Sequence, residues 1–267
     1  MQAPPEKVLA EVRFPSVPEL VTEEGEQTLA SFLKRYPVRQ QIRSGQIPVG
    51  SIVQSTTATP ILTRTFSDRE NSWVVTVSDI SVIVETKNYS SKDDFCKRTH
   101  EVFAAMASVY KPLVVDNVGL RYIDRVTDDS RLIRLDRHTE PRLSVLCDVT
   151  EDNIPAEHSI SYSMIRISNN ERLRVRSAVL PPSAILDPSV TPTDVKSWVL
   201  DLNLFTVKGG ILFDPQALEE RLGRYSAYIY SAFRWATTDA FLETFGVKYR
   251  APAEEEPRPD GGGQSAD

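Results

Sequence analysis

Cysteine is almost missing from this chain. Two in 267 residues, Cys96 in a helix-like stretch and Cys147 in an apolar one, exclude a disulfide scaffold and fit two reduced thiols. Histidine is nearly as scarce. His100, His138 and His158 stand at no ligand spacing with a cysteine or a carboxylate pair, so no metal site is expected. No apolar run approaches the ~18 residues of a bilayer span, and the start, MQAPPEKVLAEVRF, lacks the basic-then-apolar order of a signal peptide. A cytoplasmic protein with no membrane partner is predicted. A basic excess is absent too: the net charge of −6 argues against a general nucleic-acid binder. No G-x-S-x-G elbow or Walker loop occurs, and Lys208-Gly209-Gly210 reads as a turn. No catalytic residue and no cofactor are therefore expected.

What is present is ordinary core material, 40 % hydrophobic and 25 % charged residues, arranged in clear periods. Lys7–Phe14 alternates as a strand, with Val8, Ala10, Val12 and Phe14 on one side. Thr22 opens a helix over 22–36 whose stripe is Leu29, Phe32, Leu33 and Tyr36; residues 38–50 read as a loop. Strands follow at 52–66, 72–77 and 80–87, then a helix over 91–110 and the strand VDNVGLRYIDRV, 115–126. Strands are expected again at 143–149, 158–168, 171–180 and 197–207. Asp214-Pro215 then starts a long helix running to about residue 245. The class is α+β, mostly antiparallel sheet in two α+β halves, 1–127 and 128–250, packed as one globular unit. A Pro-, Gly- and Glu-rich tail, 251–267, is predicted to be disordered.

Two charged strand faces are the candidate binding surfaces. In the strand 115–126, Arg121 and Arg125 share the side opposite Leu120 and Tyr122. They face Glu11 and Arg13 of the first strand and Glu85 and Lys87 of another, as cross-strand ion pairs or as a polar groove for an anion. Asp124 falls on the apolar side and calls for a backbone or hydroxyl partner. The second face lies in SMIRISNNERLRVRSAV, 163–179, where Arg172, Arg174 and Arg176 alternate with Leu173 and Val175. A two-residue turn at Asn169-Asn170 sets isoleucines against arginines. An odd-length turn over 169–171 sets Arg166 opposite Arg174 and groups the apolar residues, and asparagine tolerates the left-handed backbone expected there. That register gathers four arginines, either solvated or forming an anion- or partner-binding patch, with Asp201 as counter-charge.

The order EVRFP, a helix ending in Tyr-Pro, VIVETKNYSSKDDFCKRTHEVFAAM, NVGLRYIDRV, WVLDLNLFTV and YSAFRWATTDAFLETF resembles a sporadically distributed bacterial family of uncharacterised proteins of about this length. The best signal is G-L-R-Y-I at 119–123; the family tends to have Asn where this chain has Asp124. The resemblance brings no catalytic residues. It implies an accessory gene, in a defence-like or toxin–antitoxin-like locus. Together these readings lead to a non-enzymatic interaction or regulatory protein with a protein partner. The alternative is a phosphate-chemistry enzyme on an Arg-lined sheet, although the paired-glutamate motif E-x-E-x-K is broken by Arg13 after Glu11. A sequence-tolerant nucleic-acid binder using the 166–176 patch is a third reading, opposed by the acidic total.

Overall fold

Strand β1 (Lys7–Arg13) lies near the middle of the molecule, with both its faces covered: Val8, Ala10 and Val12 on one, Leu9 and Glu11 on the other. The computed structural model describes residues 5–44, 61–110, 114–127, 132, 157–186, 188 and 191–246. Around β1 runs a nine-stranded sheet built from β2 (Val38–Ser44), β3 (Ile61–Ser67), β4 (Trp73–Val77), β5 (Ser81–Thr86), β7 (Asn117–Val126), β8 (Ser159–Arg166), β9 (Glu171–Leu180) and β10 (Ser197–Thr206). Its order is β2-β3-β4-β5-β1-β7-β10-β9-β8, and every neighbouring pair is antiparallel. Two short strands, β6 (Val114–Val115) and β11 (Ile211–Leu212), pair separately. The α+β class with antiparallel sheet holds, and the sheet runs unbroken through both halves of the sequence, joined where β7 pairs with β10.

The principal helices among the described residues are α1 (Glu23–Phe32), α2 (Lys92–Val109), α3 (Pro215–Ala236) and α4 (Asp239–Glu243). Each starts at a polar cap that satisfies a free backbone N–H. Thr22, Ser91, Asp214 and Thr238 accept from Gly25, Asp94, Gln216 and Phe241 respectively. The expected helix to residue 245 is cut in two at Thr237-Thr238: Thr237 adopts extended backbone, and the Thr238 hydroxyl caps the new helix. Leu218, Leu222, Tyr225 and Ile229 of α3 and Phe95, Val102, Phe103 and Met106 of α2 pack over the face formed by Val8, Val84, Leu120, Leu202 and Val175. Among the described residues no helix is long and apolar enough to cross a membrane.

Two expectations need correction. Residues 38–44, read as a loop, form β2; its sequence, VRQQIRS, has no apolar alternation to betray it. Polar contacts secure that corner instead. Arg64 of β3 donates to Glu26 of α1 at 2.5 Å, to Gln41 at 2.8 Å and to the Val21 carbonyl at 3.0 Å. Phe32, assigned to the α1 stripe, is exposed, because the helix ends there and Leu33 and Tyr36 reach the core from the following turn. Of the strand 52–66 only 61–66 falls on described residues; the strand 143–149 and the tail 251–267 lie outside them.

Part of the second face of the sheet, around β7, β10 and β9, is buried as well. Ile123, Val199, Ala178 and Leu180 form a small apolar cluster there, with Ala184 and Leu186 packed on it. Beside that cluster lie the charged residues.

Candidate functional site

Antiparallel pairing of β7 with β10 and of β10 with β9 brings residues of both predicted sets onto one surface. Asn203 of β10 stands opposite Arg121 of β7 and Arg174 of β9, and Asp201 opposite Ile123 and Arg176. The Asp201 carboxylate is the hub. Arg121 donates to it twice, Nε to Oδ1 at 2.7 Å and Nη2 to Oδ2 at 3.0 Å, the bidentate geometry that suits a planar guanidinium. Arg176 adds Nε to Oδ2 at 2.6 Å, and Arg174 Nη2 lies 4.0 Å away. Asp201 is wholly buried and Arg121 is 1 % exposed; the side chains of Arg174 and Arg176 keep only 15 % and 13 % of their surface. The expectation of a solvated arginine face is thus corrected for these two. Asp201 was expected as a counter-charge, and it is one, for three arginines.

The remaining members of the first set pair along the same face. Glu11 accepts from Arg13 at 2.7 Å, Glu85 from Lys7 at 3.4 Å, and Arg125 meets the Thr191 carbonyl and lies 3.0 Å from Glu6. Arg121 and Arg125 therefore point at different partners and do not frame one groove. The Asn203 amide, fully buried between Arg121 and Arg174, has neither its nitrogen nor its oxygen in a hydrogen bond among the described residues.

The outer two arginines behave differently. The β8–β9 turn has odd length, as the hydrophobic pattern requires, and Ile165 does face Leu173. The register is nonetheless two residues from the expected one: Arg166 faces Arg172, and Met164 faces Arg174. The turn is fixed from outside. Asn170 accepts from the backbone N–H of Val207 and Lys208 and donates to the Lys208 carbonyl, and its N–H donates to the Ser168 hydroxyl. No asparagine of this turn uses left-handed backbone. Arg172 donates to the carbonyls of Ser168 and Glu171, whereas Arg166 is exposed and makes no hydrogen bond or ion pair among the described residues. Next to them, Ile160, Tyr162 and Met164 of β8 share the arginine side of the sheet and are 48 %, 59 % and 45 % exposed.

A second site, on the helix side, had only a partial trace in the sequence. Pro5, Tyr89, Tyr122, Asp124, Leu202, Ser226, Ile229, Tyr230 and Phe233 line a half-open cavity of about 80 Å³ between the sheet and α3. Tyr122 donates to the Tyr89 hydroxyl at 3.1 Å, and its hydroxyl lies 3.1 Å from that of Ser226. Burial pushes the Tyr122 phenol far above its ordinary range. Asp124 falls on this apolar side, as its place in the alternation requires, but the backbone or hydroxyl partner expected for it is absent. Its carboxyl forms no hydrogen bond or ion pair among the described residues, although it is 91 % buried. That burial, reinforced by Asp201 across the sheet, raises its pKa to about 7.

Elsewhere the polar chemistry is architectural. Glu171, at the start of β9, accepts from Arg224, Arg221 and the Tyr225 hydroxyl of α3; Arg224 above all, with Tyr225 and Ser168, holds its pKa below the usual carboxylate value. His100 of α2 meets Glu219 of α3 at 2.8 Å. Burial pushes the Cys96 thiol up to about 11, away from nucleophilic chemistry. No group of three metal-binding side chains occurs among the described residues; Cys147 and His138 lie outside them. No family model, no curated protein and no solved structure matches the chain.

Proposed function

We propose that this protein is a non-enzymatic interaction module that docks an extended segment of a protein partner along β8. The observation that carries the reading is the edge strand itself. β8 spans eight residues, has no strand on its outer side among the described residues, and presents Ile160, Tyr162 and Met164 to solvent. Proteins ordinarily blunt such an edge with charge, proline or a bulge, and an unblunted one is a template for an added strand. Charge defines the partner. Arg166 and Arg172 stand directly opposite each other, a like-charge pair that disfavours its own sheet until an anion sits between. The fitting segment alternates apolar residues, to lie beside Ile160, Tyr162 and Met164, and ends with a carboxylate at Arg166.

The phosphate-chemistry alternative draws less support, because Arg121 and Arg176 already hold the Asp201 carboxylate. The family resemblance, itself a proposal, supplies the setting: products of neighbouring genes in an accessory, defence-like or toxin–antitoxin-like locus are the partners to try first. Each is co-expressed with the wild-type chain and with Met164→Lys, and complexes are measured by size-exclusion chromatography with light scattering. One neighbour should form a stable complex that Met164→Lys abolishes. Absence of any complex, survival of the complex in Met164→Lys, or a β8-dependent dimer of the chain with itself would each overturn the proposal.

A further inference from the structure

We propose that the cavity between β7 and α3 is a binding site for the ammonium group of a small aliphatic amine, with Asp124 as its counter-ion. At about 80 Å³ the space is several times the ~15 Å³ one water needs, yet small for a nucleotide or a sugar. It therefore takes a head group of a few heavy atoms.

The lining narrows the chemistry. Three tyrosines and a phenylalanine, Tyr89, Tyr122, Tyr230 and Phe233, surround the space together with Leu202 and Ile229. Aromatic faces attract cations, all the more where water is excluded. One carboxylate, Asp124, lies in this wall without a hydrogen bond or ion pair among the described residues. A buried, unpartnered carboxyl is costly when ionised, and a cation in the cavity supplies what the protein does not. The hydroxyls of Tyr89, Tyr122 and Ser226 are linked in a chain at 3.1 Å, and each oxygen keeps acceptor capacity. Together with a carboxylate they suit a primary ammonium, which brings three N–H donors, better than a quaternary one, which brings none. An anion is excluded by Asp124. A neutral apolar guest leaves that carboxyl as unsatisfied as before.

The site is separate from β8: Asp124 is on the opposite side of the sheet from Arg174 and Arg176, so the two proposals fail independently. The test uses propylammonium chloride as probe, with 1-propanol and tetramethylammonium as comparators, titrated into the full chain at pH 8 by calorimetry and by tyrosine fluorescence. Propylammonium should bind saturably and at least about tenfold more tightly than either comparator, as expected of a charge-assisted contact. Asp124→Asn, which keeps the side-chain shape, should lose that preference while the circular dichroism spectrum stays native. Tyr230→Ala, at a half-exposed position, should weaken propylammonium binding without unfolding the chain. Equal binding of propanol, or an ammonium affinity unchanged in both variants, would overturn the proposal. So would the absence of any binding by the wild type.

Discussion

Asp201 and Asp124 lie on neighbouring strands of one sheet, are almost equally hidden from water, and point to opposite faces. Asp201 is met by Arg121 twice and by Arg176, with Arg174 behind. Asp124 has aromatic and aliphatic walls and no cation at all among the described residues. Burial alone therefore says little about what a carboxylate does. The first is a structural hub that accepts from Arg121 and Arg176 and ties three strands together. The second has its pKa raised to about 7 by burial and by Asp201, and faces the cavity proposed to take an ammonium group.

Removing the hub should have the largest effect. Asp201→Asn leaves Arg121, Arg174 and Arg176 around a neutral amide, and breaking a buried ion pair from one side costs about 3–5 kcal/mol. Urea denaturation should show that loss. The converse change, Arg174 and Arg176 together to Ser, should cost somewhat less, roughly 2–4 kcal/mol, because Arg121 still grips the carboxylate. A double mutant within ±0.5 kcal/mol of wild type would instead return these arginines to the solvated face that the sequence allowed.

Asp124→Asn should act in the opposite direction. The carboxyl's pKa rises from the ordinary 3.8 to about 7 on folding, so between those values the folded chain holds a proton that the unfolded chain has released. Its contribution to stability is fully favourable to the protonated fold at low pH, declines as pH rises through that window, and is flat above about 7. The asparagine cannot ionise. The variant should be more stable than wild type by roughly 1–3 kcal/mol at pH 8, with the gap closing toward pH 4. The smallest effect belongs to the exposed Arg166, whose change to Ser should stay within about ±0.5 kcal/mol in isolation. It should appear only as weaker partner binding, more so at low salt.

The sequence carried the parts of this comparison that obey a local period. Alternation put Arg172, Arg174 and Arg176 on one face and Asp124 on the other side of β7 from Arg121 and Arg125. Capping residues marked the starts of α1 and α3. What it did not carry is set by pairings of residues far apart in sequence. That Arg121 and Asp201, 80 positions apart, share a hydrogen bond follows from β7 lying beside β10, which no window of either strand reveals. The two-residue error in the β8–β9 register has the same origin: Asn170 is tied to Val207 and Lys208, outside the hairpin. β2 is not legible in the sequence because a polar edge strand has no apolar rhythm. The cavity joins residues from β7, β10, α3 and the segments around Pro5 and Tyr89, and the misplaced carboxylate was its one sequence signal.

The two carboxylates are tested most directly side by side. Chemical denaturation of wild type, Asp124→Asn and Asp201→Asn at pH 8 asks whether neutralising each buried aspartate changes stability with opposite sign. A higher midpoint is expected for Asp124→Asn and a much lower one for Asp201→Asn. Loss of stability in both variants would contradict this comparison, because Asp124 would then be a paired structural charge like its neighbour.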